Sequence, residues 1–330
     1  MAKYAPTQHR LQRTIRLVAL LMAMLVLCAS LVACDFFEYE NPYGADGKET
    51  AAESSKHTGG GEEEQCDQGT GDTDEKDREV EFHFLDAGQG DAAIIRTPQG
   101  VVLIDTSTGS FETKLKAYLS YYHITTIDYA IFTHPHEDHI GGADMIMQEF
   151  DVKNVLIPNC TSTTKTFRNM MSAIEASDAE LIIPNPGYTF SLGEVKMEVL
   201  APLDKYDDAN NASIVLRVDY GETSVLFTGD AEVESEADML KKYKENGRLD
   251  CDLLKVGHHG SYTSSSAAFL IAVSPEYAVI SCGEGNEYGH PHAATTERLQ
   301  AYNVAISRTD REGTVVFISD GQTLRKQTYD

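Results

Sequence analysis

The chain has 330 residues, enough for one large domain or two ordinary ones, and its 42% hydrophobic content supports a sizeable core. With 27 basic and 52 acidic residues its formal net charge is −25, which argues against an extended basic face for gripping nucleic acid. The six Cys carry no CxxC spacing, which excludes a disulfide framework and a Cys-based zinc site.

Residues 1–34 read as an export signal. Lys3, Arg10, Arg13 and Arg16 form a positive segment, and Leu17 to Leu27 an apolar one too short for a comfortable membrane span. Leu31-Val32-Ala33-Cys34 then resembles the bacterial lipoprotein signal. That resemblance implies cleavage before Cys34, lipid on Cys34, and a membrane-anchored protein facing outside the cytoplasm. A plain secretory signal or membrane anchor is the alternative. Residues 35–79 hold 15 acidic and 4 basic residues and almost no large apolar ones after Phe37. Such a segment cannot bury enough apolar surface to offset ordering entropy, so it reads as a disordered acidic tether.

The folded domain is expected over 80–330. Val80, Phe82 and Phe84 alternate with polar residues, as in a half-buried strand. Ala92–Thr97 and Val101–Asp105 are strands joined by Pro98-Gln99-Gly100. Phe111–Tyr122 has helical spacing with Ser110 as N-cap. Asp128–Thr133 is a strand, Ala143–Phe150 a helix, and Val155–Ile157 and Leu181–Ile183 are short buried strands around a helix near Thr166–Ala176. Beyond them, strands are expected at Val195–Leu200, Ser213–Tyr220, Thr223–Thr228, Asp252–Val256, Tyr277–Ser281, Val304–Ser307 and Thr314–Ser319. Helices are expected at Glu232–Tyr243, Ala267–Val273 and Ala293–Tyr302. Two similar halves of mixed strands and helices predict an α+β domain of two packed sheets covered by helices.

Chemistry-bearing residues recur at strand ends. The densest group is His134-Pro135-His136-Glu137-Asp138-His139, with Gly141-Gly142 behind it. Imidazole and carboxylate in one loop after a strand suit zinc and related divalent ions. Asp86-Ala87-Gly88-Gln89-Gly90-Asp91 places two Gly where backbone can approach a centre closely. Asp105 ends a strand and can orient a metal-bound His from behind, or cap a turn. Asp230 can bridge two cations or cap the following helix. His258-His259-Gly260-Ser261 again fits ligation after a strand. Tyr288-Gly289-His290-Pro291-His292 can supply a proton donor or phosphate contact, or be a surface pair.

In this order, together with Asn210-Asn211-Ala212-Ser213, these motifs resemble a metallo-β-lactamase-fold hydrolase. More narrowly, they are similar to the hydrolase domain of ComEC-type competence proteins and their free-standing relatives. The resemblance implies a four-layer αββα sandwich. It implies that His134 and His136 hold one divalent ion, Asp138 and His139 a second, and that Asp230 bridges them. His258 or His259 completes the second site. It leaves Asp86 and Asp105 to orient ligands, and Ser261, Asn211 and Ser213 to contact substrate. Asp138, His290 and His292 act in catalysis. Most of the family has a further His between the core loop and the bridging Asp. Here that region offers Asn210, Asn211 and Ser213, as in the ComEC-like group, so Zn2+ is expected and Mn2+ is the alternative.

Two cations about 3.5–4 Å apart can activate water, polarise a scissile bond and stabilise charge on attacking and leaving oxygens. The expected activity is therefore hydrolysis of a phosphodiester, with DNA implied by the competence relatives. Residues 80–330 carry 19 basic and 37 acidic residues, a net of −18, and only Lys241-Lys242-Tyr243-Lys244 approaches a basic cluster. A smaller phosphodiester such as a phosphocholine ester therefore rivals DNA. A β-lactamase or lactonase on the same fold, and a non-catalytic surface protein with a vestigial site, are the other readings. No protein partner follows from the sequence.

Overall fold

The computed structural model describes residues 78–328. The export signal, the Cys34 lipidation site and the tether up to residue 77 lie outside the described residues. Among the described residues, no helix is long and apolar enough to cross a membrane.

The first half of the domain runs β1 (Val80–Phe84), β2 (Ala93–Thr97), β3 (Gly100–Ile104), α1 (Glu112–Tyr121), β4 (Thr126–Ile131), α2 (Glu137–Ile140), α3 (Ala143–Glu149), β5 (Asp151–Leu156), α4 (Lys165–Ala176) and β6 (Glu180–Ile182). The second half runs β7 (Thr189–Leu192), β8 (Val195–Ala201), β9 (Val215–Tyr220), β10 (Thr223–Phe227), α5 (Val233–Tyr243), β11 (Leu253–Lys255), α6 (Ala267–Val273), β12 (Tyr277–Ile280), α7 (Ala293–Ala301), β13 (Ala305–Arg308) and α8 (Thr309–Glu312). The last strands are β14 (Val315–Ser319) and β15 (Leu324–Lys326).

One sheet has the order β15-β14-β1-β2-β3-β4-β5-β6, the other β13-β12-β11-β10-β9-β8-β7. The period-two pattern sorts side chains between layers. Phe82 and Phe84 of β1 face the second sheet, where the Phe84 ring stacks on Phe227 at 5.5 Å between centroids. On the outer face of the first sheet, Leu103 and Ala130 pack with Leu115 and Leu119 of α1, Ile146 of α3 and Met170 of α4. On the outer face of the second, Leu226, Leu254 and Ala278 pack with Met239, Phe269 and Leu299 of α5, α6 and α7. Three apolar interfaces between four layers give the αββα sandwich. Each fully buried large side chain contributes about 1.5–3 kcal/mol.

Several expectations need adjustment. Leu181–Ile183 is not a buried strand: β6 closes one edge of its sheet, and Leu181 is exposed because it has a neighbour on one side only. β7 and β15 were not foreseen, being short and poor in apolar residues. Ser110 does not cap α1. It lies in a 3-10 turn and its hydroxyl pairs with that of Thr108 at 2.7 Å. Cys251 and Cys282 are buried, and Cys160 is half-buried.

The parallel strands matter most for function. β3, β4, β5 and β6 run parallel, as do β10, β11, β12 and β13. Loops leaving the carboxyl ends of such strands are where α/β sheets place ligands.

Candidate metal centre

The loops after β3, β4, β8, β10, β11 and β12, with the β1–β2 loop, carry the residues of the site. The loop after β4 is fixed first. Asp105 accepts the backbone N–H of Thr133 at 2.8 Å and its hydroxyl at 2.7 Å. The same carboxylate takes the Nδ1–H of His139 at 2.8 Å, which turns Nε2 of that ring towards Asp230. The chain then enters α2, a single turn that presents Asp138 and His139 together. Gly90 brings the β1–β2 loop against this turn. A Cβ at Gly90 would lie 2.5 Å from the carbonyl oxygen of Asp138, so no other residue fits there.

From the second sheet, β10 delivers Asp230 through Gly229, whose φ of +50° is left-handed. Asp230 does not cap the following helix. That task belongs to Asn211, whose Oδ1 accepts the N–H groups of Glu232 and Ser235 at 3.1 Å each. Asp230 is thereby left to face inward, and its Oδ2 is the focus of the site. His139 Nε2 lies 3.3 Å away, His259 Nε2 3.5 Å, His258 Nε2 3.8 Å and His134 Nε2 4.0 Å. The ring of His136 is exposed, with Nδ1 3.0 Å from His134 Nε2.

The twin His after β11 separate because both are left-handed, with φ of 49° and 51°. His259 is buried, with Nε2 3.2 Å from Asp138 Oδ2. His258 is half-buried and its Nδ1 turns to Glu232 at 2.9 Å. Of the two, His259 therefore reaches the centre of the cluster. Ligand atoms of Asp138, His139, Asp230 and His259 all lie within 4.8 Å of one another, and those of Asp91, Asp105 and His139 form a second such group.

These donors fit a divalent cation. His139 Nε2 and Asp230 Oδ1 are buried without a hydrogen-bond partner, which is costly unless something else satisfies them. Electrostatics agree. Burial works against charge on His259, but Asp230 and Asp91 beside it push the imidazole up to about 10. His139 is likewise raised, against burial, by Asp230 and Asp105. Asp230 and Asp138 sit well below the usual carboxylate range because neighbouring imidazoles outweigh burial. The carboxylates thus demand positive charge at this point, which a metal ion supplies.

Three expected substrate contacts prove to be buried scaffolding. Asn211 is the helix cap described above. The hydroxyl of Ser213 accepts the Asp230 N–H at 3.1 Å and lies 3.3 Å from His134 Nδ1. The hydroxyl of Ser261 pairs with that of Thr263 at 2.8 Å. The polar atoms of all three are already taken up by hydrogen bonds within the fold. Asp86 is also misplaced: it is exposed, and its N–H donates to Thr314 Oγ1 at 3.1 Å. The inward carboxylate of that loop is Asp91, past both Gly. Sequence reasoning missed it, together with its buried partner Lys255, 2.6 Å away.

His290 and His292 line one side of the site. The His290 ring is 5.5 Å from that of His258 and stacks beside Tyr288 at 5.6 Å. Burial, followed by the charges of His259, His258 and His292, pushes its pKa down to about 4, so His290 is neutral near pH 7. His292 Nδ1 accepts the N–H of Tyr262 at 3.1 Å.

The Metallo-beta-lactamase superfamily profile matches residues 85–284, which span the ligand cluster and stop short of His290. The chain belongs to the metallo-beta-lactamase superfamily. It is a metallo-beta-lactamase-fold hydrolase related to competence proteins. It is 31% identical over 259 residues to ComE operon protein 3 of Bacillus subtilis (strain 168), covering 72% of this chain and 33% of that one. It is 33% identical over 243 residues to competence protein ComA of Neisseria gonorrhoeae, covering 73% and 32%. The chain thus spans about a third of the length of these curated relatives. Among solved structures, the metallo-beta-lactamase fold protein YhfI from Bacillus subtilis superposes with a TM-score of 0.50 at 11% identity. That match covers 73% of this chain and all of the other, and it shows the shared fold.

Proposed function

We propose that this chain is a membrane-anchored, extracytoplasmic hydrolase that uses two divalent ions to cleave phosphodiesters, nucleic acid among them. The observation that carries the reading is the convergence of imidazole and carboxylate donors from both sheets on Asp230 Oδ2. His134 and His136 would hold one ion. Asp138, His139 and His259 would hold the other, with Asp230 between them and His258 at the rim. Zn2+ suits the imidazoles, and the absence of a further His near Ser213 leaves Mn2+ as the alternative. Bound ions would supply activated water and charge stabilisation.

The protein's own part is positioning. Asp105 fixes the ring of His139, and Ser213 and Thr133 flank that of His134. His290, neutral near pH 7, can donate a hydrogen bond to a phosphoryl or leaving oxygen. Tyr262 and Tyr288 are 64% and 66% exposed while their rings pack on His292 and His290. Exposed aromatic faces beside a phosphate-cleaving site favour a substrate with bases, because each stacked base contributes about 1–3 kcal/mol. The net charge of −18 over residues 80–330 favours single-stranded or short substrates over a gripped duplex. It also keeps a phosphocholine-type ester as the second reading.

The chain purified without residues 1–34 should cleave bis-p-nitrophenyl phosphate with Zn2+ or Mn2+, and the double variant His134→Ala, His136→Ala should not. Activity on nitrocefin alone would replace the phosphodiesterase by a β-lactamase. A protein that binds no divalent ion would be a vestigial surface domain. Competition between an oligonucleotide and a phosphocholine ester ranks the two substrate classes. Loss of the full-length protein from the membrane fraction in Cys34→Ala tests the anchor.

A further inference from the structure

We propose that Asp91 and Lys255 form a brace between the two sheets that positions His259, a role resting on the metal-centre reading above. Lys255 ends β11 in the second sheet, and Asp91 lies in the β1–β2 loop of the first. Both are buried, at 4% and 5% exposure, and Nζ is 2.6 Å from Asp91 Oδ2. Lys255 also donates to the carbonyl of Val256 at 2.9 Å.

The other carboxylate oxygen, Asp91 Oδ1, lies 3.2 Å from His259 Nδ1. The same nitrogen is 3.1 Å from the carbonyl oxygen of Ser281. A carbonyl only accepts, so Nδ1 carries the hydrogen and Nε2 is the atom presented to Asp138 and Asp230. The brace reaches the first sheet's ligands as well. The backbone N–H of Asp91 donates to the carbonyl of Asp138 at 3.0 Å, and its carbonyl accepts from Ser107 at 2.7 Å. One short connection therefore ties the α2 turn to the twin-His turn across the sandwich.

His139 offers an internal comparison. Its supporting carboxylate, Asp105, is satisfied by N–H and O–H donors of the same sheet. Asp91 instead takes a full cation from the opposite sheet. Buried pairs of this kind contribute little net stability but fix geometry, and loss of one partner strands the other.

The test is metal affinity, measured on the purified chain by competition of Zn2+ with a chelator. Asp91→Asn and the double variant Asp91→Asn, Lys255→Met should both bind Zn2+ 10- to 100-fold more weakly, the range typical of partners of metal-bound His. Near-UV circular dichroism should stay parental. Asp91→Asn alone strands a buried ammonium and Lys255→Met alone a buried carboxylate, and either risks misfolding, so the double variant, which strands none, decides. The Ser281 carbonyl still accepts from Nδ1, so imidazole nitrogen shifts should keep the His259 tautomer in both variants while the affinity falls. Folded variants with parental Zn2+ affinity would overturn the brace and leave the metal centre standing. A parental chain that binds no Zn2+ or Mn2+ would overturn the metal centre and the brace with it.

Discussion

The upstream half of the site comes from one hexapeptide, His134 to His139, while the downstream half is gathered from two loops that carry Asp230 and His258–His259. The upstream ligands need little beyond a strand end, one helical turn and Asp105 behind His139. The downstream ligands need a left-handed Gly229, two left-handed His, a helix cap borrowed from Asn211 and a cation from Lys255. Left-handed non-Gly residues cost about 1–3 kcal/mol each when the surroundings impose them. The downstream half thus holds its geometry through left-handed backbone and a borrowed cap, and the upstream half mainly through the neighbouring strand end that carries Asp105.

The largest effect should come from the residue both halves share. Asp230→Ala should lower metal affinity by about 100-fold or more, beyond the range for residues that merely support a ligand, and abolish hydrolysis. Atomic emission on the purified variant, with a phosphodiester assay, checks this. Retained metal would show that the halves work separately.

Asp105→Asn attacks the local support of the upstream half. It should weaken Zn2+ binding about 10- to 100-fold while the fold persists. If it matches Asp91→Asn, the two supports are equivalent. If it exceeds it, the His139 side dominates.

Asn211→Ala removes two hydrogen bonds that hold the start of α5 beside Asp230. The expected cost is about 0.5–2 kcal/mol in chemical denaturation. Activity should fall more than stability, because the loop carrying Asp230 loosens.

The smallest effect lies outside both halves. Burial lowers the pKa of His83 below 6.5, despite its hydrogen bond with Glu81. As pH falls from about 6.5 towards the folded value, the unfolded chain takes up a proton that the folded chain refuses, so stability declines. Glu81, held below 4.5 by His83, acts in a lower window, where stability is lost as pH falls through its folded value. His83→Gln should flatten the dependence of the melting temperature on pH just below 6.5. An unchanged slope would assign that dependence to the ligand cluster.

The same contrast separates what was legible in the sequence from what was not. The apolar runs within Asp128–Thr133 and Thr223–Thr228 announce strands, and the His hexapeptide announces ligands by density alone. Which of His258 and His259 points inward depends on backbone angles that no spacing reveals. Asp86 and Asp91 flank the same two Gly, and only the turn between them decides which carboxylate enters. Lys255 reads as an ordinary polar residue at a strand end, because burial of a Lys becomes visible only with its partner on the opposite sheet. Asn211 and Ser213 look like substrate contacts until the orphan N–H groups of α5 and Asp230 claim them. β7 and β15 escape notice because edge strands need few apolar residues.

β1 pairs along its whole length with β14, Val80 opposite Ser319 and Phe84 opposite Val315. The first strand of the domain and its last two, β14 and β15, therefore gather at one edge of the first sheet. A unit whose terminal strands gather at one edge can be spliced into a longer polypeptide without distorting either neighbour. The stretch that this chain matches occupies about a third of each of the two competence proteins, so a related unit sits inside longer polypeptides there.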